Sequence, residues 1–204
     1  MYYHERARLV YLAHPRTAST ATANTLQKIG FKKNGGDHHM RLWRYSPPRS
    51  SPALPNPLPN GSEIVTKANR DKWTAITVVR NPWDTAISWF YRRWRTNPTP
   101  AFDIASCRTA LEYNHWVEMQ MPPGRCRFWG LHSDDADVIL RYETFESDLR
   151  DILARRGITL PPIQRQNVSR NRLHRPHSLY HTDDTRDFIA ESFREEIERF
   201  AFEF

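Results

Sequence analysis

A pattern of strand, turn and helix, which occurs three times along the chain, most constrains the fold. Short apolar strands are predicted within "RLVYLA" (8–13), "WTAITVVRNP" (73–82) and "ADVILRYE" (136–143). Helical spacing of apolar residues follows each of them, in "STATANTLQKIGF" (19–31), "WDTAISWFYRRW" (83–94) and "TFESDLRDILARRG" (144–157). Repeated strand-helix units indicate a parallel sheet covered by helices on both faces, so we expect a three-layer α/β/α fold.

Two further segments complete the predicted organisation. A last helix over about 183–200 carries an apolar stripe that we expect to face the core, made of Phe188, Ile189, Phe193, Ile197 and Phe200. Residues 46–61 hold six of the 15 prolines, which forbids regular structure and predicts a long loop of the kind that often forms a lid or a binding wall. The length of 204 residues favours one domain over 1–204.

The charge of the chain points to an anionic partner. Thirty Lys and Arg residues stand against 23 Asp and Glu, giving a formal charge of +7. Nucleic acid is a common partner at such a charge, but no helix-turn-helix, zinc-finger spacing or aromatic RNA-binding signature is visible. We therefore expect no nucleic-acid partner, and a small phosphorylated ligand is consistent with the charge.

Compartment and cysteine usage constrain the chain less. No apolar run approaches the roughly 20 residues of a membrane span, and the N-terminus lacks the apolar core and cleavage site of a signal peptide. The expectation is a cytoplasmic protein without a membrane span. Cys107 and Cys126 are expected to be reduced and receive no role.

The first candidate site is the turn "HPRTAST" between the first strand and its helix. Backbone N–H groups at a helix N-terminus can face an anion, and Arg16 with the hydroxyls of Thr17, Ser19 and Thr20 would add donors. The alternative is that Ser19 or Thr20 only caps the helix. The Walker pattern G-x-x-x-x-G-K-[ST] is not matched, so this turn alone leaves both interpretations open.

The second candidate site lies in "VVRNPWDTAIS". Arg80 stands at a strand end and offers a planar fork suited to phosphate oxygens, and Ser88 follows eight residues later in the next helix. A surface arginine and a small helix residue are the alternatives for these two positions taken singly. Ligands of parallel sheets bind at the carboxyl ends of the strands, where both segments are placed.

Together these motifs resemble those of sulfotransferases that use 3′-phosphoadenosine 5′-phosphosulfate (PAPS), closest in pattern to the carbohydrate type. "HPRTASTAT" is similar to their phosphosulfate loop, P-[KR]-[TS]-G-[ST]-[ST], and "VVRNPWDTAISWFY" to their 3′-phosphate motif, R-[ND]-P-x-[DE]-x-x-x-S. "VILRYETFESDL" and the C-terminal residues resemble later parts of the family more loosely. The resemblance implies a P-loop NTPase-like fold, PAPS as co-substrate, no metal, and a sugar or small-metabolite hydroxyl as acceptor.

The resemblance also implies roles for single residues. Arg16 and the amides of residues 17–21, from Thr17, Ala18, Ser19 and Thr20 to Ala21, would hold the 5′-phosphosulfate, with Arg16 stabilising the bridging oxygen. Arg80 and Ser88 would hold the 3′-phosphate, with Arg170 and Arg172 as further candidates. Ala18 departs from the family glycine, so either the loop is right-handed there or it approaches the phosphate less closely.

A general base must take the proton of the acceptor hydroxyl. The segment "GGDHHMRLW" offers Asp37, His38 and His39 beside a flexible glycine pair, and an imidazole titrates near neutrality. We expect His39 or His38 to be the base, with Glu63 and Glu143 as the next candidates. Two other functions stay open, a P-loop nucleotide kinase-like phosphotransferase and a basic polyanion-binding protein.

Overall fold

The computed structural model describes residues 1–14, 16–33, 71–94, 100–115, 136–166 and 175–204. Within these ranges the chain is a mixed α/β structure with five strands and six α-helices. The strands are β1 (Tyr2–His4), β2 (Leu9–Leu12), β3 (Lys32–Lys33), β4 (Thr74–Val79) and β5 (Val138–Arg141). The helices are α1 (Ser19–Lys28), α2 (Pro82–Arg93), α3 (Ile104–His115), α4 (Phe145–Ala154), α5 (Asp183–Ser192) and α6 (Arg194–Phe200).

The chain divides into two compact units. The first unit comprises Met1–Val79 with Leu131–Gln166, and the second comprises Arg80–Gly130 with Asn167–Phe204. The first unit therefore contains the sheet with α1 and α4, and the second contains α2, α3, α5 and α6. The predicted proline-rich loop at 46–61 lies outside the described residues.

The sheet of the first unit has the strand order β3-β1-β2-β4-β5. β4 runs parallel to both β2 and β5, which confirms the predicted parallel pairing in the middle of the sheet. β1 instead pairs antiparallel with β2 and with β3, so the predicted parallel arrangement does not extend to this end of the sheet. The reason is a tight hairpin between β1 and β2, in which the Arg8 amide donates to the Glu5 carbonyl at 3.1 Å. The three-layer α/β/α arrangement and a P-loop NTPase-like identity stay predictions.

Alternating side chains of β2 belong to two apolar clusters on opposite faces of the sheet. Leu9 and Tyr11 join a cluster to which α1 contributes Leu26 and α4 contributes Leu149 and Leu153. Val10 and Leu12 join a second cluster with Tyr3, Trp73 and Ala75. Because both faces of β2 are buried, its sequence is the continuous apolar run that central parallel strands require.

Helix α1 ends where the sequence predicts. Gly30 has φ +98°, the left-handed conformation that closes a helix without a Cβ penalty. The Phe31 amide donates to the Leu26 carbonyl at 3.1 Å and the Gly30 amide to the Gln27 carbonyl at 3.4 Å, the two bonds of a Schellman motif. The chain then turns directly into β3, the edge strand next to β1.

In the second unit, the predicted last helix spans the expected residues but is not continuous. It consists of two helices, α5 and α6, which meet at Phe193, whose ψ of +25° breaks the helical path. Ile189 and Phe193 are buried, as the predicted stripe requires, whereas Phe188, Ile197 and Phe200 are partly exposed. Because the stripe assumed one continuous helix, its spacing does not carry across the break to Ile197 and Phe200, whereas nothing in the structure explains the partial exposure of Phe188, which precedes the break.

Replacement of Leu26 by alanine tests the core of the first unit. Leu26 is fully buried on α1, so the cavity left by Leu26→Ala is expected to lower the free energy of unfolding by about 2–5 kcal/mol. Gln27→Ala at the exposed neighbouring position is the control, with a change within about 0.5 kcal/mol. Urea unfolding measures both, and equal effects would contradict the placement of α1.

Candidate functional site

The turn between β2 and α1 has an unusual backbone. Arg16 and Ala18 both have positive φ, +64° and +56°, and Thr17 between them is fully buried. The Thr17 hydroxyl donates to the His14 carbonyl at 2.8 Å, which ties the turn back to the end of the strand. A backbone that alternates between left-handed and right-handed conformations directs successive N–H groups toward one side. This arrangement is typical of anion-binding nests.

Helix α1 begins without a side-chain cap. Its N-cap is Ala18, and no side-chain cap hydrogen bond is found there within the described ranges. Ser19 and Thr20 are already inside the helix, so the capping alternative for these residues is wrong. The first N–H groups of a helix have no acceptor within the helix, so the amides at the start of α1 are candidates for an anionic ligand. The positive end of the helix dipole favours negative charge at this terminus.

The side chains predicted for this segment differ in exposure. Thr20 is exposed and Arg16 is partly exposed, so both lie within reach of a ligand from solvent. Ser19 and Ala21 are buried at the same helix start. The first segment therefore combines backbone amides with one cation and one accessible hydroxyl.

Ala18 adopts the left-handed conformation that glycine prefers. Its φ of +56° and ψ of +17° exclude the right-handed option for this loop. A non-glycine residue in this region costs about 1–2 kcal/mol. The chain thus keeps the backbone path that glycine would allow in the resembling motif, and alanine makes that path less stable.

Two buried hydroxyl groups belong to the elements on either side of this turn, Tyr11 on β2 and Thr22 on α1. Among the described residues, the Tyr11 hydroxyl and the Thr22 hydroxyl have no hydrogen-bond partner of ordinary geometry. Burial raises the pKa of Tyr11, and the nearby hydroxyls of Thr22 and Thr17 offset part of that rise. Tyr11 is therefore a neutral phenol at physiological pH.

The second candidate segment begins directly after β4. Arg80 is buried, and its Nε and Nη2 lie 2.6 Å and 2.5 Å from the same Asp84 carboxylate oxygen. The alternative of a solvated surface arginine is therefore wrong. Asp84 and Ser88 are one turn apart on α2, so their side chains lie on the same side of the helix, and Ser88 is also buried.

Asn81 fixes the start of α2 beside this arginine. Its side-chain oxygen accepts hydrogen bonds from the amides of Trp83 at 3.0 Å and Asp84 at 3.4 Å, and Pro82 occupies the first helical position. Its side-chain nitrogen donates to the Glu203 carbonyl at 2.7 Å. Each polar group of the Asn81 side chain thus has a partner, and the residue that follows Arg80 has one orientation.

His181 contacts the same helix start within the second unit. Its Nε2 lies 3.1 Å from the Trp83 carbonyl oxygen. Burial lowers the pKa of His181 to about 4, and the charge of His177 lowers it further, whereas the Trp83 carbonyl and Asp84 act in the opposite direction. The imidazole is therefore neutral at physiological pH.

Several predicted residues lie outside the described ranges: Asp37, His38, His39, Glu63, Arg170, Arg172 and Cys126. Glu143, the remaining candidate base, is exposed in the turn after β5. Cys107 is a free, buried thiol on α3, and burial raises its pKa to about 12, so it is protonated and unreactive.

The described part of the chain offers neither a metal-binding cluster nor a membrane-spanning helix. It holds no cluster of three or more His, Cys, Asp or Glu side chains placed to bind a metal ion. Along the same ranges, no helix has the length and apolar character needed to cross a membrane.

Comparison with known proteins leaves the motifs as the basis for any assignment. No protein-family model matches the chain, and no curated protein matches it.

Sequence reasoning missed Asp84 and His181. Asp84 had a readable signal, because an acidic residue four positions after Arg80 in a predicted helix start is placed to pair with it. His181 had none, because its contact with Trp83 joins residues 98 positions apart in the chain.

Substitution of Ala18 by glycine tests the strained turn. Because glycine adopts positive φ without a Cβ penalty, Ala18→Gly is expected to raise the free energy of unfolding by about 0.5–1 kcal/mol after the cost of glycine's freedom in the unfolded chain. Ala21→Gly, inside α1, is the control and is expected to destabilise by about 1 kcal/mol. Thermal unfolding measures both, and destabilisation by Ala18→Gly would contradict the left-handed turn.

Acid sensitivity tests the buried imidazole. The unfolded chain binds a proton at His181 near pH 6.5 but the folded chain only near pH 4, so the free energy of unfolding falls as pH is lowered through this window. His181→Gln removes the titrating group and is expected to weaken this pH dependence. Urea midpoints across the window measure it, and identical pH profiles of the two proteins would show that His181 titrates normally.

Proposed function

We propose that this protein is a sulfotransferase that moves a sulfuryl group from PAPS to an acceptor hydroxyl. The observation that carries the proposal is the turn before α1, where Arg16 and Ala18 have positive φ and the N-cap makes no side-chain hydrogen bond among the described residues, an arrangement suited to an anion. A turn that served only to cap the helix would use the hydroxyls beside it, and Ser19 and Thr20 do not cap it.

The second segment supports a donor with two anionic ends. PAPS carries a phosphosulfate at its 5′ end and a phosphate at its 3′ end. Residues 16–21 would bind the first group, and Arg80 with Ser88 would bind the second. Asp84 holds the guanidinium of Arg80 at a fixed angle, which favours bidentate recognition of a phosphate, although its negative charge offsets part of the attraction.

The proposed reaction needs positioning and charge stabilisation more than covalent help. The acceptor oxygen forms a bond to sulfur while the bond from sulfur to the bridging phosphate oxygen breaks, leaving adenosine 3′,5′-bisphosphate. Arg16 and the first amides of α1 would stabilise the negative charge that develops on the leaving phosphate. The acceptor proton passes to a base, for which His39 or His38 is our proposal.

Ligand-induced stabilisation tests the donor site. Adenosine 3′,5′-bisphosphate at about 100 times its Kd is expected to add about 2.7 kcal/mol to the free energy of unfolding, a rise in Tm of roughly 5–10 °C. Loss of a charge-assisted hydrogen bond in Arg80→Gln is expected to weaken binding by about 10- to 100-fold and to remove most of the shift. Arg150→Gln is the control, since Arg150 lies on the surface of α4 and pairs with Glu146.

Other ligands distinguish the competing functions. No shift at millimolar bisphosphate would overturn the proposal, and stronger stabilisation by Mg-ATP would favour a kinase. Tight, steeply salt-dependent DNA binding without bisphosphate binding would favour a polyanion-binding protein. A labelled-sulfate transfer assay against saccharides, phenols and alkyl alcohols then identifies the acceptor class.

A further inference from the structure

Contacts from the C-terminal part of the second unit hold the first turn of α2. The Trp83 indole nitrogen donates to the Arg186 carbonyl at 3.0 Å, and the Asn81 side chain donates to the Glu203 carbonyl at 2.7 Å. His181 Nε2 lies 3.1 Å from the Trp83 carbonyl. Arg186 and Glu203 contribute backbone carbonyls to these contacts, whereas His181 contributes its side chain. A substitution at His181 therefore removes its contact.

The ring of His181 has a fixed orientation. It packs edge-on against Phe102 at 5.0 Å and Phe204 at 5.7 Å between ring centroids. Since a carbonyl oxygen can only accept, Nε2 carries the hydrogen and donates it to Trp83. Nδ1 is then unprotonated, and it is buried without a partner among the described residues.

We propose that His181 is a positioning residue for the anion subsite of Arg80: its Nε2–H fixes the Trp83 carbonyl and thereby the adjacent Asp84, which holds the guanidinium. The inference rests on the proposed function, because it concerns the residue assigned to the 3′-phosphate. Arg80 donates from two nitrogens to one Asp84 oxygen, so a small movement of the helix start misaligns the fork. Misplacement by about 1 Å can cost a factor of 100 in a preorganised site.

The neutral state of the imidazole suits this role. Burial lowers its pKa to about 4, so at neutral pH it acts as a hydrogen-bond donor and adds no charge. The charged groups that act on it are His177 and Asp84. A permanently charged residue at this position would compete with Arg80 for Asp84.

The increment in affinity due to the 3′-phosphate isolates the subsite. We define it as the Kd of adenosine 5′-phosphate divided by that of adenosine 3′,5′-bisphosphate, both measured by calorimetry. His181→Leu removes the donor and is expected to reduce the increment about 10-fold while the affinity for the 5′-phosphate is unchanged. His181→Gln keeps an N–H near the Nε2 position and is expected to retain the increment within about threefold.

A control separates positioning from general loosening of the unit. Ile189→Val removes one buried methylene from α5 and is expected to leave the increment unchanged. An equal loss in Ile189→Val would overturn the inference, as would an unchanged increment in His181→Leu. If the wild-type protein shows no increment, the proposed function itself fails.

Nitrogen-15 NMR of the wild-type imidazole tests the inference without a variant. The expected spectrum has the Nε2–H tautomer, with a shift that changes on addition of the bisphosphate and not of the 5′-phosphate. The Nδ1–H tautomer, or an equal response to both nucleotides, would overturn the inference even if His181→Leu does not fold.

Discussion

The rest of the structure depends on the burial of β2 between two strands. All four residues of Leu9–Leu12 are fully buried, and the strand pairs with β1 on one side and β4 on the other. The Thr77 hydroxyl also donates to the Leu12 carbonyl at 3.1 Å. The backbone N–H and C=O groups of β2 are hydrogen-bonded within the sheet. The first backbone that a ligand can reach is therefore the turn after the carboxyl end of β2.

That turn can hold a strained backbone because its surroundings fix it. Positive φ at Arg16 and Ala18 costs free energy, and such conformations persist only where neighbouring contacts determine them. Thr17 supplies one such contact through its bond to His14, and Ser19 is buried beside it. An anion that binds these amides then spends little free energy on ordering them, which is the advantage of a rigid turn over a flexible one.

The sequence predicts the parts of this structure that repeat a local pattern. Strands β2, β4 and β5 and the helices that follow them are found as predicted, because apolar spacing and the stop at Gly30 are local signals. The antiparallel strands β1 and β3 are not predictable in this way, since they have three and two residues and their order depends on pairing. Phe193 shows the opposite error, in which a regular stripe conceals a break.

For the candidate site, the motifs give the positions but not the geometry. The left-handed turn at Ala18 is a backbone state that a residue name does not specify. Whether Arg80 is exposed or buried is likewise set by tertiary packing, and the structure buries it. The roles of Asp37, His38 and His39 stay predictions, because they lie outside the described residues.

The pairing of Arg80 with Asp84 explains how an arginine can be buried at the end of β4. An unpaired guanidinium out of water is costly, so a buried arginine needs a carboxylate before any ligand arrives. Asp84 meets that need with one oxygen, 2.6 Å from Nε and 2.5 Å from Nη2, along one edge of the guanidinium. A carboxylate bound along one edge of the guanidinium offsets part of the free-energy cost of burying the charge. It also fixes the plane of the guanidinium. Asn81 and His181 both contact the helix start that carries Asp84, so the plane of the Arg80 guanidinium depends on how that helix start is held.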